Sequence, residues 1–369
     1  MSLSVRDTGR MTRMPPPAAL SRFDLIAHNN TMEEIRSRVS NNIESYFPGP
    51  FKSGFAVQLI SVQQRSYSTI CFFNVCAGDP DNGPLPGIAV KIFSHQFGGA
   101  ELADLQFTSM KSVWPSMAQT ARFAIPRPLE LFHDLSAMAM ERVGGDSIQR
   151  QFRRNLFAPL KWPALVCACL NAGEWLRYFH TATQESQGQL DVTAKKAAAG
   201  LAISKLQGRG FPGKSVHSIE VFLDTSAQEL SQIDLPAALV HGDFTVDNVI
   251  AEGTRITALD LSGRDRNAIY HDLATFLNSL WLMRLSMPLP DALLNRCARA
   301  FLKGYFGDER CCHLALNFLR VTGLVSSALE IISRRQDQPI AQFWVRRFLN
   351  HQLGGIVRSS RDTYGATLT

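Results

Sequence analysis

No long uninterrupted hydrophobic run occurs in the sequence. The longest apolar stretch, Leu273 to Met283, is broken by Asn278 and falls far short of the roughly 20 residues a bilayer span needs. No transmembrane segment is therefore expected. Near the start, Arg6, Arg10, Arg13 and the run Pro15-Pro16-Pro17 surround no apolar core of the kind a secretory signal requires. A disordered tail over residues 1–30 and a cytoplasmic location are the expectations. A disulfide framework is also missing. Seven cysteines is an odd number without framework spacing, and a chain of 369 residues can bury substantial cores without such staples. Cys167-x-Cys169 and Cys311-Cys312 lie in apolar helical surroundings, which suits buried free thiols better than a metal or redox pair. The net charge of +6 comes with no nucleic-acid motif, and its Lys and Arg residues are scattered, so nucleic acid is not an expected partner. Internal repeats are absent.

What is present centres on residues 241–263, HGDFTVDNVIAEGTRITALDLSG. Asp243 stands five residues before Asn248, and Asn248 twelve before Asp260. The apolar run Ala237 to Val240 leads in, and a strand pattern from Ile256 to Leu259 carries the chain to Asp260. Glu252-Gly253 offers the turn between them. The three polar side chains thus fall at the rim of a small hairpin, aimed at one spot. Phosphoryl transfer needs such a spot: one carboxylate for the attacking hydroxyl, and a carboxylate with a carboxamide to hold Mg²⁺ against the phosphates.

The segment resembles the catalytic loop of the aminoglycoside phosphotransferase and choline kinase family, relatives of the protein kinases, which reads H-G-D-x-x-x-x-N followed by a metal-binding Asp after a strand. The resemblance implies Asp243 as catalytic base, Asn248 as a metal ligand and Asp260 as the principal metal ligand. Leu261-Ser262-Gly263 departs from the Asp-aromatic-Gly turn of many relatives. Thr245 stands where protein kinases carry a lysine, which favours a small-molecule kinase over a protein kinase.

Further parts follow in kinase order over about residues 55–285. A helix is expected from Met32 to Tyr46, then strands Phe55–Val62 and Tyr67–Val75. Their turn, Gln63-Gln64-Arg65-Ser66, has no glycine to let the backbone approach phosphates. Ser66 and Ser68 are either hydroxyl donors to the phosphates or solvated turn residues. In the strand Gly87–Phe93, Lys91 is costly to bury without a partner. It is either an edge lysine facing solvent or, by resemblance, the grip on the α- and β-phosphates. A helix from Ala100 to Val113 carries Glu101 in its first turn. Glu101, with Asp104 as runner-up, is the candidate to hold Lys91; the alternative is a carboxylate favoured there by the helix dipole. The run from Ala137 to Gly145 resembles the family's hinge, so Met140, Glu141, Arg142 and Val143 are the expected adenine-reading region. The helix Trp162–Thr183 reads as core, with His180 structural. The resemblance also implies that Asp272 caps a helix and braces the catalytic loop, and its place at a helix start suits the backbone donors there; His241 is expected to do similar bracing. Between residues 194 and 214 every charge is positive, a solvated helical face or an acceptor-side lid.

The expectation is an α+β, two-lobed protein-kinase-like fold: an antiparallel β-sheet N-lobe over residues 31–140 and a mainly helical C-lobe over 141–369, holding the catalytic loop and acceptor-binding helices. The implied reaction moves the γ-phosphate of ATP or GTP, with Mg²⁺, to a hydroxyl of a small molecule or glycan. Few acidic clusters in the C-lobe favour a neutral or anionic, sugar-like acceptor over a polycationic aminoglycoside or a choline-type cation. A kinase-shaped nucleotide-binding scaffold with little turnover is the alternative of another class.

Overall fold

A computed structural model describes residues 22–47, 55–65, 67–77, 87–184, 186–188, 190–262, 266–309, 311–334 and 338–365. The N-lobe is built on strands β1 (Phe55–Gln64), β2 (Ser68–Ala77), β3 (Ile88–Phe93), β5 (Pro128–Phe132) and β6 (Ala137–Glu141), in the antiparallel order β1-β2-β3-β6-β5. Strand side chains alternate between faces, and β3 is apolar on both. Ile88 and Val90 pack with helix α1 (Arg22–Tyr46), while Ala89 and Phe93 join the main core with helix α2 (Gly99–Met117). Lys91 shares the second face. An edge lysine facing solvent is thereby ruled out, because β3 lies inside the sheet with β2 and β6 on either side.

Helix α1 covers the outer face with Ile35, Val39, Ile43 and Tyr46, one stripe at helical spacing. Arg38 pins it by a two-pronged bond to Asp134, at 2.8 and 2.6 Å. The helix begins at Arg22, so residues 22–30, expected in the N-terminal tail, form its first turns.

The C-lobe begins with α3 (Ile148–Arg154) and the long α4 (Trp162–Thr183). Then come α5 (Val192–Gln207), α6 (Gly213–Leu230), α7 (Tyr270–Leu282), α8 (Asp291–Phe306), α9 (His313–Arg334) and α10 (Pro339–Gly365). Helices α4 and α8 approach backbone to backbone. A Cβ on Gly173 would lie 2.1 Å from the Phe301 carbonyl oxygen, and one on Gly304 2.1 Å from that of Leu170. Helix α9 is long and apolar enough to cross a membrane, yet packs against α5, α7 and α10, with Leu316, Leu319 and Val325 buried.

Two small sheets carry the catalytic segment. The hairpin β9 (Val249–Glu252) and β10 (Arg255–Ala258) continues into the short parallel strand β4 (Phe123–Ala124). The lead-in run becomes β8 (Leu235–Leu239), which pairs not with that hairpin but with β7 (Ser186–Gly188) and β11 (Arg266–Ala268). Thiols also depart from expectation: Cys169 is buried, but Cys167 is exposed, and Cys311 and Cys312 are half-buried in the link before α9.

Candidate active site

The catalytic loop is held from below by its apolar members. Phe244 and Val246 are buried, and Phe244 stacks on Trp175 of α4 at 5.2 Å between ring centroids. Packing one set of side chains inward leaves Asp243, Thr245 and Asn248 near the surface of the loop. The Thr245 N–H donates to the Asp243 carbonyl at 2.9 Å, and the Val246 N–H to Ser279 Oγ of α7 at 3.1 Å.

Asp272, wholly buried at the start of α7, braces the loop. Its carboxylate accepts from the backbone N–H groups of His241 (2.6 Å) and Gly242 (3.0 Å), and from His180 Nε2 at 3.0 Å. The other ring nitrogen of His180 shares a hydrogen bond with the Tyr305 hydroxyl at 2.8 Å. Burial alone would raise the Asp272 carboxyl, but the bonds from His180 and the loop N–H groups hold it below its ordinary value. Burial pushes the His241 imidazole down and keeps it neutral. Both histidines and Asp272 are therefore structural supports, as expected.

Asn248 closes the loop back on Asp243. Its Nδ2 donates to Asp243 Oδ2 at 2.7 Å and to the Asp243 carbonyl at 3.0 Å. Across the hairpin, the Leu259 N–H donates to the Asn248 carbonyl at 2.8 Å, placing Asp260 beside the loop. Asp260 adopts φ 57°, a left-handed conformation that costs a non-glycine residue roughly 1–2 kcal/mol. Lys91 Nζ reaches its Oδ1 at 2.9 Å. Desolvation by the surrounding protein raises the Asp260 carboxyl, yet Lys91 overrides it and the net shift is downward. For Asp243 the balance runs the other way. Burial first, then the charge of Asp260, lifts it to about 6 against the opposing bond from Asn248. Adjacent carboxylates with opposite shifts divide into one poised to take a proton and one that stays charged.

The helical partner of Lys91 is not Glu101. That residue and Asp104 are both exposed, whereas Gln106 is buried and its Oε1 accepts from Lys91 Nζ at 3.0 Å. Helical phase was the available signal. Ala103, Gln106, Met110, Val113 and Met117 form the buried stripe of α2, and Glu101 lies off it. Ser68 is buried at the start of β2 with its hydroxyl unpaired, so it is not a solvated turn residue; Ser66 lies outside the described residues. In the hinge region, Met140 is buried and paired with Ala89 in the sheet. The N–H groups of Glu141 and Arg142 are taken by the carbonyls of Arg127 (2.9 Å) and Gly87 (2.8 Å). The Val143 N–H has no partner among the described residues.

Among the described residues no cluster of three His, Cys, Asp or Glu side chains forms a metal cage. Asn248 uses its Nδ2 on Asp243, its carboxamide oxygen has no partner among the described residues, and one Asp260 oxygen is not used by Lys91. One carboxylate and one amide oxygen, both hard donors, fit Mg²⁺ completed by water and phosphate oxygens rather than a dedicated cage.

The model of the APH phosphotransferase enzyme family matches residues 104–314, more than half of the chain. The chain belongs to this family. This APH-family protein is accordingly an ATP-dependent small-molecule phosphotransferase. A search of curated protein sequences returns no match. Solved structures share the fold of the phosphotransferase at low identity. A glucosamine kinase in complex with glucosamine, ADP and inorganic phosphate is 16% identical, with TM-score 0.55 over 89% of this chain and 83% of that one. A choline/ethanolamine kinase family protein from Mesorhizobium loti is 14% identical, with TM-score 0.50 over 88% and 93%. A thermostable mutant of aminoglycoside phosphotransferase APH(4)-Ia, in a ternary complex with AMP-PNP and hygromycin B, is 14% identical, with TM-score 0.52 over 87% and 98%.

Proposed function

We propose that the protein transfers the γ-phosphate of ATP to an alcohol group of a neutral or anionic, sugar-like small molecule or glycan. The observation that carries this reading is the chain of contacts from Lys91 to Asp260 (2.9 Å) and from Asn248 to Asp243 (2.7 Å) on one rim. Asp243 orients the acceptor hydroxyl and takes its proton, a role suited to a carboxyl raised to about 6. Lys91 holds the α- and β-phosphates, and the Val143 N–H, without a partner among the described residues, reads the adenine edge. Asn248 and Asp260 are the residues that would hold Mg²⁺, which when bound neutralises charge developing on the transferred phosphoryl group. The chain's own contribution is positioning and fixed electrostatics.

Charge supports the acceptor class: five positive residues and no acidic one lie between residues 194 and 214. Part of that charge is spent locally, since Lys196 pairs with Asp224 at 3.0 Å, whereas Lys195 faces His271 at 3.3 Å. A screen of sugars, sugar phosphates, glycan intermediates, aminoglycosides and choline for ATP-dependent phosphorylation tests this. Turnover confined to polycations would overturn the acceptor assignment. A second reading, a nucleotide-binding scaffold with little turnover, draws on the neutral Gln106 beside Lys91; nucleotide binding with no transfer to any acceptor would favour it.

A further inference from the structure

Lys91 is 4% exposed and has two polar partners among the described residues, Asp260 Oδ1 and Gln106 Oε1. A buried ammonium is stable only with a compensating charge. Gln106 is neutral, so Asp260 is its single carboxylate partner among those residues. The carboxamide takes the lysine through its oxygen alone, at 3.0 Å, and brings no charge to it. An ionised glutamate at this position would be a second carboxylate competing with Asp260 for the lysine. Glu101 and Asp104 are exposed and supply no substitute.

We infer that Gln106 is a positioning residue that keeps Lys91 clamped on Asp260 in the nucleotide-free protein, releasing Asp260 to a divalent cation only when nucleotide phosphates take the lysine. The inference rests on the phosphotransferase reading of the same site and adds an order to its loading. Free cation meets a carboxylate already neutralised by an ammonium. Nucleotide and cation therefore enter as a coupled pair, each favouring the other.

Mn²⁺ binding to the nucleotide-free full chain, followed by electron paramagnetic resonance, tests this in wild type, Gln106→Glu and Lys91→Met, with ADP binding measured by calorimetry. Gln106→Glu gives the lysine its own carboxylate and should tighten Mn²⁺ at least about fivefold, the low end of typical coupling between sites. Lys91→Met removes the clamp and should tighten it likewise. Structural damage would weaken cation binding, so tightening separates positioning from mere packing. Unchanged or weaker Mn²⁺ binding in either folded variant overturns the inference while leaving the phosphotransferase reading intact if wild type binds ADP. Wild type that binds no ADP overturns both.

Discussion

Asp243→Asn should stabilise the protein, and the gain should depend on pH. In the fold the Asp243 carboxyl sits at about 6 against an ordinary 3.8, raised by burial and then by Asp260. A carboxyl raised on folding favours the fold while protonated. That contribution is complete below about pH 4 and is lost as pH rises through about 6. Near pH 8 the wild type therefore carries an ionised group the fold disfavours. A shift of about two units corresponds to about 3 kcal/mol at most; with Asp243 partly open to the cleft, about half is a fair expectation. Asparagine keeps the shape and an oxygen for the Asn248 Nδ2 bond while removing the charge. At roughly 2 °C per kcal/mol for a protein of this size, melting should rise by about 3 °C. Thermal melts at about pH 8 and about pH 4 decide it, with the gain shrinking toward zero at the lower pH. A gain equal at both, or none at about pH 8, would refute the assignment of Asp243 as a strained, poised carboxylate.

Other variants probe the scaffold. Asp272→Ala strands the buried His241 N–H, the half-buried Gly242 N–H and the His180 ring, and should cost about 3–5 kcal/mol in urea denaturation. Because the Asp272 carboxyl is held below its ordinary value, the stability it gives should be lost as pH falls, and the variant's deficit should narrow in acid. Gly173→Ala drives a methyl against the Phe301 carbonyl; about 3 kcal/mol or more of destabilisation is expected, and an unchanged melting temperature would mean α4 and α8 do not cross there.

The placement of the site residues was legible where one loop pattern sets residue types at fixed spacing, while their roles in the reaction come from the family resemblance. Asp243, Asn248 and Asp260 depend on one loop and one hairpin, so local sequence places them. Lys91 could be read because a lysine amid apolar strand residues demands a partner, though the strand's place inside the sheet needed the fold. The helix α4 followed from helical phase, and the bracing role of Asp272 from the family resemblance; its carboxylate holds the loop N–H groups of His241 and Gly242 rather than capping α7. What failed did so for physical reasons. The resemblance calls for a helical glutamate and so points to Glu101, whereas the buried stripe of α2 selects Gln106. The pairing of β8 with β7 and β11 joins segments dozens of residues apart, which no local pattern encodes. Hinge N–H groups belong to no side chain, so only the backbone bonds distinguish Val143 from Glu141 and Arg142.

The central claim is tested most directly by comparing wild type and Asp243→Ala for ATP binding and for Mg²⁺-dependent phosphate release or transfer. The account predicts ATP binding in both proteins and Mg²⁺-dependent turnover in the wild type alone. Equal turnover in the variant would contradict it.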